Sequence, residues 1–177
     1  MPAVEYPDLF LAICDFTMHT CEQEFSFERS GWQGQNKELV AIWGIDKRAN
    51  PVAFAELQAK YTAGGINARA EIEEAARDFY YRYYWLPVVN PAQVGVMQQF
   101  AFDTAVNNGP YYGREIGTQR FDNLEQAALY RIQRYVDVAR HHESKKKFLF
   151  GWLNRIFAVL AFLKGNHDRT PNHHGAV

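Results

Sequence analysis

The segment Cys21-Glu22-Gln23-Glu24-Phe25-Ser26 puts a glutamate where a helix gives way to a polar loop rich in aromatic residues. Breaking a glycosidic bond requires a carboxylic acid that protonates the departing oxygen. Such an acid works near neutral pH when partial burial against apolar groups raises its pKa. Glu22 has the right type and place, Phe25 and Phe27 stand beside it as an apolar wall, and Trp32 and Trp43 are flat enough to stack on sugar rings. Glu24, Glu28 and Glu38 nearby, and Asp103 farther along the chain, are the candidates for a second acid or a supporting one. The competing reading is that Glu22 and Glu24 merely solvate a helix end, and spacing alone does not separate the two.

Other chemistries find little support. The chain has no Gly-rich phosphate loop, no cysteine pairs at zinc spacing and no Gly-x-Ser-x-Gly elbow. His167, His173 and His174 fall at the C-terminal tail, and His141 and His142 lie beside the run Lys145-Lys146-Lys147, which reads as solvated surface. Neither a metal site nor a cofactor is expected. A formal net charge of −1 argues against a nucleic-acid binder that works through a general positive field. Cys14 and Cys21 lie two helical turns apart, a rise of about 10 Å, too far for a disulfide; both read as small buried thiols. Met1 to Asp8 shows no basic segment followed by an apolar run, so no secretory signal is read and synthesis in the cytoplasm is expected.

The elements that must position these residues are helical. Hydrophobic residues make up 47% and aromatics 15% of 177 residues, ample for a buried core. The first helix runs from Pro7 or Asp8 to Cys21, with Phe10, Ile13, Cys14, Thr17 and Cys21 on one face. A long polar segment, Glu24 to Asn50, follows. Asn50 and Pro51 cap a second helix to Thr62 that buries Phe54, Leu57 and Tyr61. A third, Asn67 to Tyr84, carries Ile72, Ala75, Ala76, Phe79, Tyr80 and Tyr83 on one stripe. A fourth runs from Pro91 to Asn107, and the stretch 108–121 is loop or short helix. Asp122 and Glu125 resemble a capping box for a fifth helix to Arg140. The sixth, Phe148 to Lys164, is apolar on nearly every side and reads as the buried centre of the bundle; its apolar run is short for a bilayer, which needs about 20 residues. The expectation is an all-α bundle of about six helices with a long active-site loop, no convincing strand pair and no membrane insertion. No linker composition marks a firm boundary; the regions read as 1–90, 91–165 and a tail, 166–177.

Several segments, in order, resemble one family. Glu22-Gln23-Glu24-Phe25-Ser26 resembles the E-G-G-Y-S signature of glycoside hydrolase family 108, the phage endolysin and secretion-activator type N-acetylmuramidases. Gly44-Ile45-Asp46-Lys47-Arg48-Ala49-Asn50-Pro51 is similar to its G-I-S-R-K-A-N-P segment, and Tyr84-Trp85 to the Y-W that closes the corresponding helix. The stretch from Phe102 through Asp103 and Asn107 to Pro110 resembles F-D-x-A-V-N-x-G-P, with Gln119 where the family's L-Q follows. The stretch from Phe148 to Arg155 resembles F-L-x-G-W-x-N-R.

The resemblance covers about residues 7 to 160. It implies a lysozyme-like helical fold, with 1–90 as the muramidase-like catalytic region and 91–165 as a helical peptidoglycan-binding region packed on it. It also implies cleavage of the MurNAc–GlcNAc bond with Glu22 as the catalytic acid. Peptidoglycan strands are then the partner, reached through a holin or a secretion machine. Asp103 and Asn107, one turn apart on one face, either line or brace the cleft or pin the core by hydrogen bonds; Tyr111 is a further substrate-binding candidate. Asn154 and Arg155, within a helix read as buried, need partners there, and they support either the cleft or Asp103 rather than act in catalysis. The chain departs from the family in one place: D-P-G-G-x-T is replaced by the longer Arg29 to Trp43, without paired glycines or the threonine. That departure motivates the alternative of a catalytically degenerate member that binds peptidoglycan or assists secretion.

Overall fold

A computed structural model describes residues 5–19, 41–89, 95–118 and 121–167. Among them are seven helices and one two-stranded hairpin, so the all-α class stands. The chain divides into two compact units, Met1–Leu86 and Pro87–Val177.

In the first unit, α1 (Asp8–His19) buries Phe10, Ile13, Cys14 and Thr17 on the expected face, together with Met18. Cys14 is free, and burial pushes its thiol well above its ordinary value, so it is an inert core residue; Cys21 lies outside the described residues. Phe10 meets Tyr81 and Trp85 edge-on, with centroids 5.0 and 5.5 Å away. The strands β1 (Ala41–Ile42) and β2 (Ile45–Asp46) are antiparallel, with Ile42 opposite Ile45. Trp43 and Gly44 join them at φ 50° and 75°, the two positive angles of a type I′ turn. No strand was expected here, because the hairpin is two residues a side and its turn carries a tryptophan where Asn-Gly is the usual signal. Asp46 then accepts backbone N–H bonds from Arg48 and Ala49 at 2.8 and 3.0 Å, which turns the chain into α2 (Pro51–Gly64). Pro51 takes the first helical position, but Asn50 supplies no side-chain cap; it bonds Tyr84 instead. Phe54 and Leu57 are buried, whereas Tyr61 is not.

The third helix, α3 (Arg69–Tyr80), winds on into a π-helical turn, Tyr81–Trp85, closed by Leu86 N–H donating to the Tyr81 carbonyl at 2.9 Å. Five bulky side chains in a row crowd a regular turn, and the wider winding rotates the stripe. Ile72, Ala76, Phe79 and Tyr80 stay buried, Trp85 turns inward and Tyr83 is 60% exposed, against the expectation that it faces the core.

In the second unit, α4 (Val96–Asn108) is the central element, with every residue from 98 to 105 buried. It packs against α5 (Pro110–Gly117), α6 (Leu124–His141) and α7 (Leu149–His167). Gly109, at φ 96°, ends α4, and Pro110 starts α5. The cap of α6 falls one residue later than expected: Asn123 accepts from the Gln126 N–H at 2.9 Å, and the Gln126 side chain accepts from the Asp122 N–H at 3.1 Å. A 3-10 segment, Glu143–Phe148, leads into α7.

That last helix is not the buried centre. It buries Arg155, Ile156, Val159 and Leu163, while Phe150 is 81% and Phe157 59% exposed. By length and composition, Glu143–Gly165 is also apolar enough to cross a membrane, which the sequence reading did not expect.

Candidate active site

Glu22, Glu24, Phe25, Phe27, Glu28, Trp32 and Glu38 lie outside the described residues, as does Gln119. What the structure does describe is how the chain on either side of residues 20–40 is held. On one side, α1 is tied to α3 by Asp15, which accepts from Arg77 Nε at 3.1 Å, while Glu73 pairs with the same guanidinium. On the other, the Trp43 carbonyl accepts from the Tyr80 hydroxyl at 2.8 Å, fixing the hairpin on α3. Both ends of the segment that carries Glu22 are therefore anchored to one helix.

Trp43 itself is fully buried, with the Arg69 guanidinium 6.0 Å from the ring centroid. It has no face to offer a sugar and belongs to the core, a correction to its reading as a stacking platform. Burial of an indole brings a large apolar gain, and here it coincides with the turn geometry that joins β1 to β2.

Asp103 is fully buried on α4 and pairs with two guanidiniums. Its Oδ2 accepts from Arg131 Nη1 at 2.6 Å, and its Oδ1 accepts from Arg155 Nε at 3.0 Å and from Arg155 Nη2. Burial alone pushes the carboxyl up, but Arg155 and Arg131 outweigh it and hold it below the usual carboxylate range. A doubly paired carboxylate with no exposure neither donates a proton to substrate nor attacks it. Asp103 thus braces the helices and is not a second acid. Arg155 meets it as the residue types suggested. Arg131 was missed, because one arginine on an amphipathic helix carries no sequence signal of burial; its ring contacts with Phe100 and Tyr135, at 5.5 and 5.6 Å, appear only in the fold.

Asn107 is exposed, and its amide donates to the Asp103 carbonyl at 2.7 Å, a bond within its own helix. Tyr111 is 60% exposed and donates to Glu115 at 3.3 Å. With Arg114 and Thr118 these two line a concavity of about 340 Å³ on α5. Tyr130 donates to the other oxygen of Glu115, and burial followed by that carboxylate pushes its hydroxyl pKa up to about 12. Tyr111 is the one substrate-binding candidate among the described residues whose ring is largely open to solvent.

A second concavity, about 340 Å³, lies between α2 and α3 in the first unit, lined in part by Asn50, Glu56, Asp78, Phe79, Arg82 and Tyr83. Asp78 accepts from Arg82 at 2.8 Å, and the exposed Tyr83 ring lies against Phe79 with centroids 5.0 Å apart. An open aromatic face beside carboxylates and an amide suits a hydroxyl-bearing ring: apolar C–H faces stack, hydroxyls hydrogen-bond. Sequence reasoning missed this place because the π turn, which brings Tyr83 out, has no periodicity of its own.

The sequence candidates thus fall into separate groups, with Trp43 in the first unit and Asp103, Asn107 and Tyr111 in the second. Among the described residues no three His, Cys, Asp or Glu side chains come together as a metal site. No family model, no curated protein and no solved structure matches the chain.

Proposed function

We propose that the chain is a peptidoglycan hydrolase of the N-acetylmuramidase kind, with Glu22 as its general acid. Glu22 gives its proton to the bridging oxygen as the bond from the sugar C1 to that oxygen breaks, and the oxygen of a water bonds to C1. A carboxylate or the solvent takes up the proton which that water loses. The substrate is the MurNAc–GlcNAc backbone, reached after export by a holin or a secretion machine. The second unit serves as the glycan-holding part, with Tyr111 on its surface.

The observation that carries this reading is the behaviour of the family-like motifs in the fold. Asp103, from the stretch resembling F-D-x-A-V-N-x-G-P, and Arg155, from the stretch resembling F-L-x-G-W-x-N-R, form one buried ion pair although 52 residues separate them. Gly44 to Pro51 forms a turn, a strand, an Asx turn and a helix start in succession. Each of these described segments occupies a structural joint within its own unit, which supports the resemblance and, through it, Glu22 as the acid.

The altered sequence from Arg29 to Trp43 favours the second reading, a degenerate member that binds peptidoglycan or assists secretion. Incubating the purified chain with isolated sacculi separates the two. Hydrolysis releases new reducing ends and clears the suspension, whereas the accessory reading predicts retention on sacculi with no new reducing ends.

A further inference from the structure

The stretch Glu143–Gly165, which holds most of α7, is by length and composition as apolar as a membrane span, yet only 22% of its most apolar part is buried. A core helix of such composition would be mostly covered. Its inner side is committed: Arg155 reaches Asp103, and Ile156, Val159 and Leu163 are fully buried. Its outer side presents Phe150, Asn154, Phe157, Ala158 and Ala161, at helical spacing. The neighbouring α6 runs antiparallel, since Glu125 meets Lys164 at 3.3 Å and Tyr135 stacks on Trp152 at 4.9 Å. Leu129, 64% exposed, lies one turn beyond Glu125 and extends the apolar face.

Along α7 itself the charge has one sign, with Glu125 of α6 and Glu143 as the acidic groups at its two ends. Lys145, Lys146 and Lys147 stand immediately before it, and no Asp or Glu occurs between Glu143 and Asp168. Lys146 pairs with Glu143, an exposed contact that solvent screens. Lys145 and Lys147 lie 5.8 and 5.0 Å from the ring centroid of Phe148, itself 45% exposed. Cations beside exposed aromatic rings, at the start of a helix with an apolar outer face, match the two layers of an anionic bilayer surface. Phosphates take the ammonium groups, and the acyl boundary takes the rings.

We infer that α7 and the lysine turn before it bind along the surface of an anionic phospholipid bilayer, with Phe150 and Phe157 dipping into the interface. The helix lies in the plane of the surface, because a spanning orientation would carry the buried Arg155–Asp103 pair and the helices joined to it into hydrocarbon. This inference is independent of the hydrolase reading.

Flotation of the full chain with phosphatidylcholine vesicles, with and without phosphatidylglycerol, tests it. The chain floats only with the anionic vesicles, and both added salt and alkaline carbonate release it. The triple variant Lys145→Gln, Lys146→Gln, Lys147→Gln lowers partitioning about 100-fold, at roughly fivefold per cation. The pair Phe150→Ser and Phe157→Ser weakens it about tenfold or more, with unchanged circular dichroism because both rings are exposed. Equal binding to neutral vesicles, or binding unmoved by both sets of variants, overturns the inference. Carbonate-resistant insertion also overturns it. So does a dimer in solution that the phenylalanine variants dissolve, since the face would then belong to a second copy.

Discussion

Asp103 joins α4 to α6 through Arg131 and to α7 through Arg155 with no exposure of its own. Replacing it with asparagine keeps the shape and removes the charge that the Arg131 and Arg155 guanidiniums both face in the core. Asp103→Asn is expected to cost about 3–5 kcal/mol in urea unfolding. Asn107→Ala, at an exposed site bonded only to its own helix, is expected to stay within about 0.5 kcal/mol. The depressed carboxyl of Asp103 also fixes a pH dependence. A carboxylate whose folded pKa lies below its unfolded one contributes stability that is fully present above the ordinary value of about 4, and that is lost as pH falls through the lower folded value. Wild-type stability should therefore fall on acidification below about pH 4, and Asp103→Asn should flatten that fall; an identical acid profile in both would contradict the assignment. At this scale the sequence was legible where chemistry forces a partnership, as with Arg155. It misled where context decides exposure, since a tryptophan in a Gly- and Asn-rich stretch looked available and Trp43 is sealed in a turn.

Helix α5 closes on its surroundings through two glycines one turn apart, Gly113 against α4 and Gly117 against the Val88 backbone. A Cβ on Gly113 would sit 2.6 Å from the Ala105 Cβ and 2.7 Å from the Ala101 carbonyl oxygen, and one on Gly117 would sit 2.1 Å from the Val88 carbonyl oxygen. The nearest atoms include backbone, so they yield only if α5 and the backbone it meets move apart. Gly117→Ala is expected to destabilise by about 1–3 kcal/mol despite alanine's better helix propensity, a sign that thermal unfolding reads directly. A stabilised variant would mean that the contact is looser than the geometry shows. The sequence predicts loop or short helix over 108–121 because three glycines and a proline usually break structure. Two of those glycines are there to let α5 approach neighbouring backbone, Gly113 that of α4 and Gly117 that of Val88. The exchange of roles between α4 and α7 has a similar cause. The more apolar helix looked central, whereas α4 takes the centre because its polar residues are satisfied there: Asp103 by arginines and the Thr104 hydroxyl by the Phe100 carbonyl at 2.8 Å.

For the whole molecule, hydrophobic periodicity was enough to read the all-α class, since most helices show one apolar stripe to a neighbour. It did not report the π turn, the hairpin or the outward face of α7, each set by local crowding or by which neighbours arrive. The catalytic proposal rests on Glu22, between two anchored ends: α1, held by Asp15 and Arg77, and the hairpin, held by Tyr80. The most direct test compares wild type with Glu22→Gln for release of reducing sugar ends from purified sacculi, with melting followed in parallel. Release by the wild type and its loss in the variant, at unchanged melting temperature, is the predicted result; equal release by both would contradict the account.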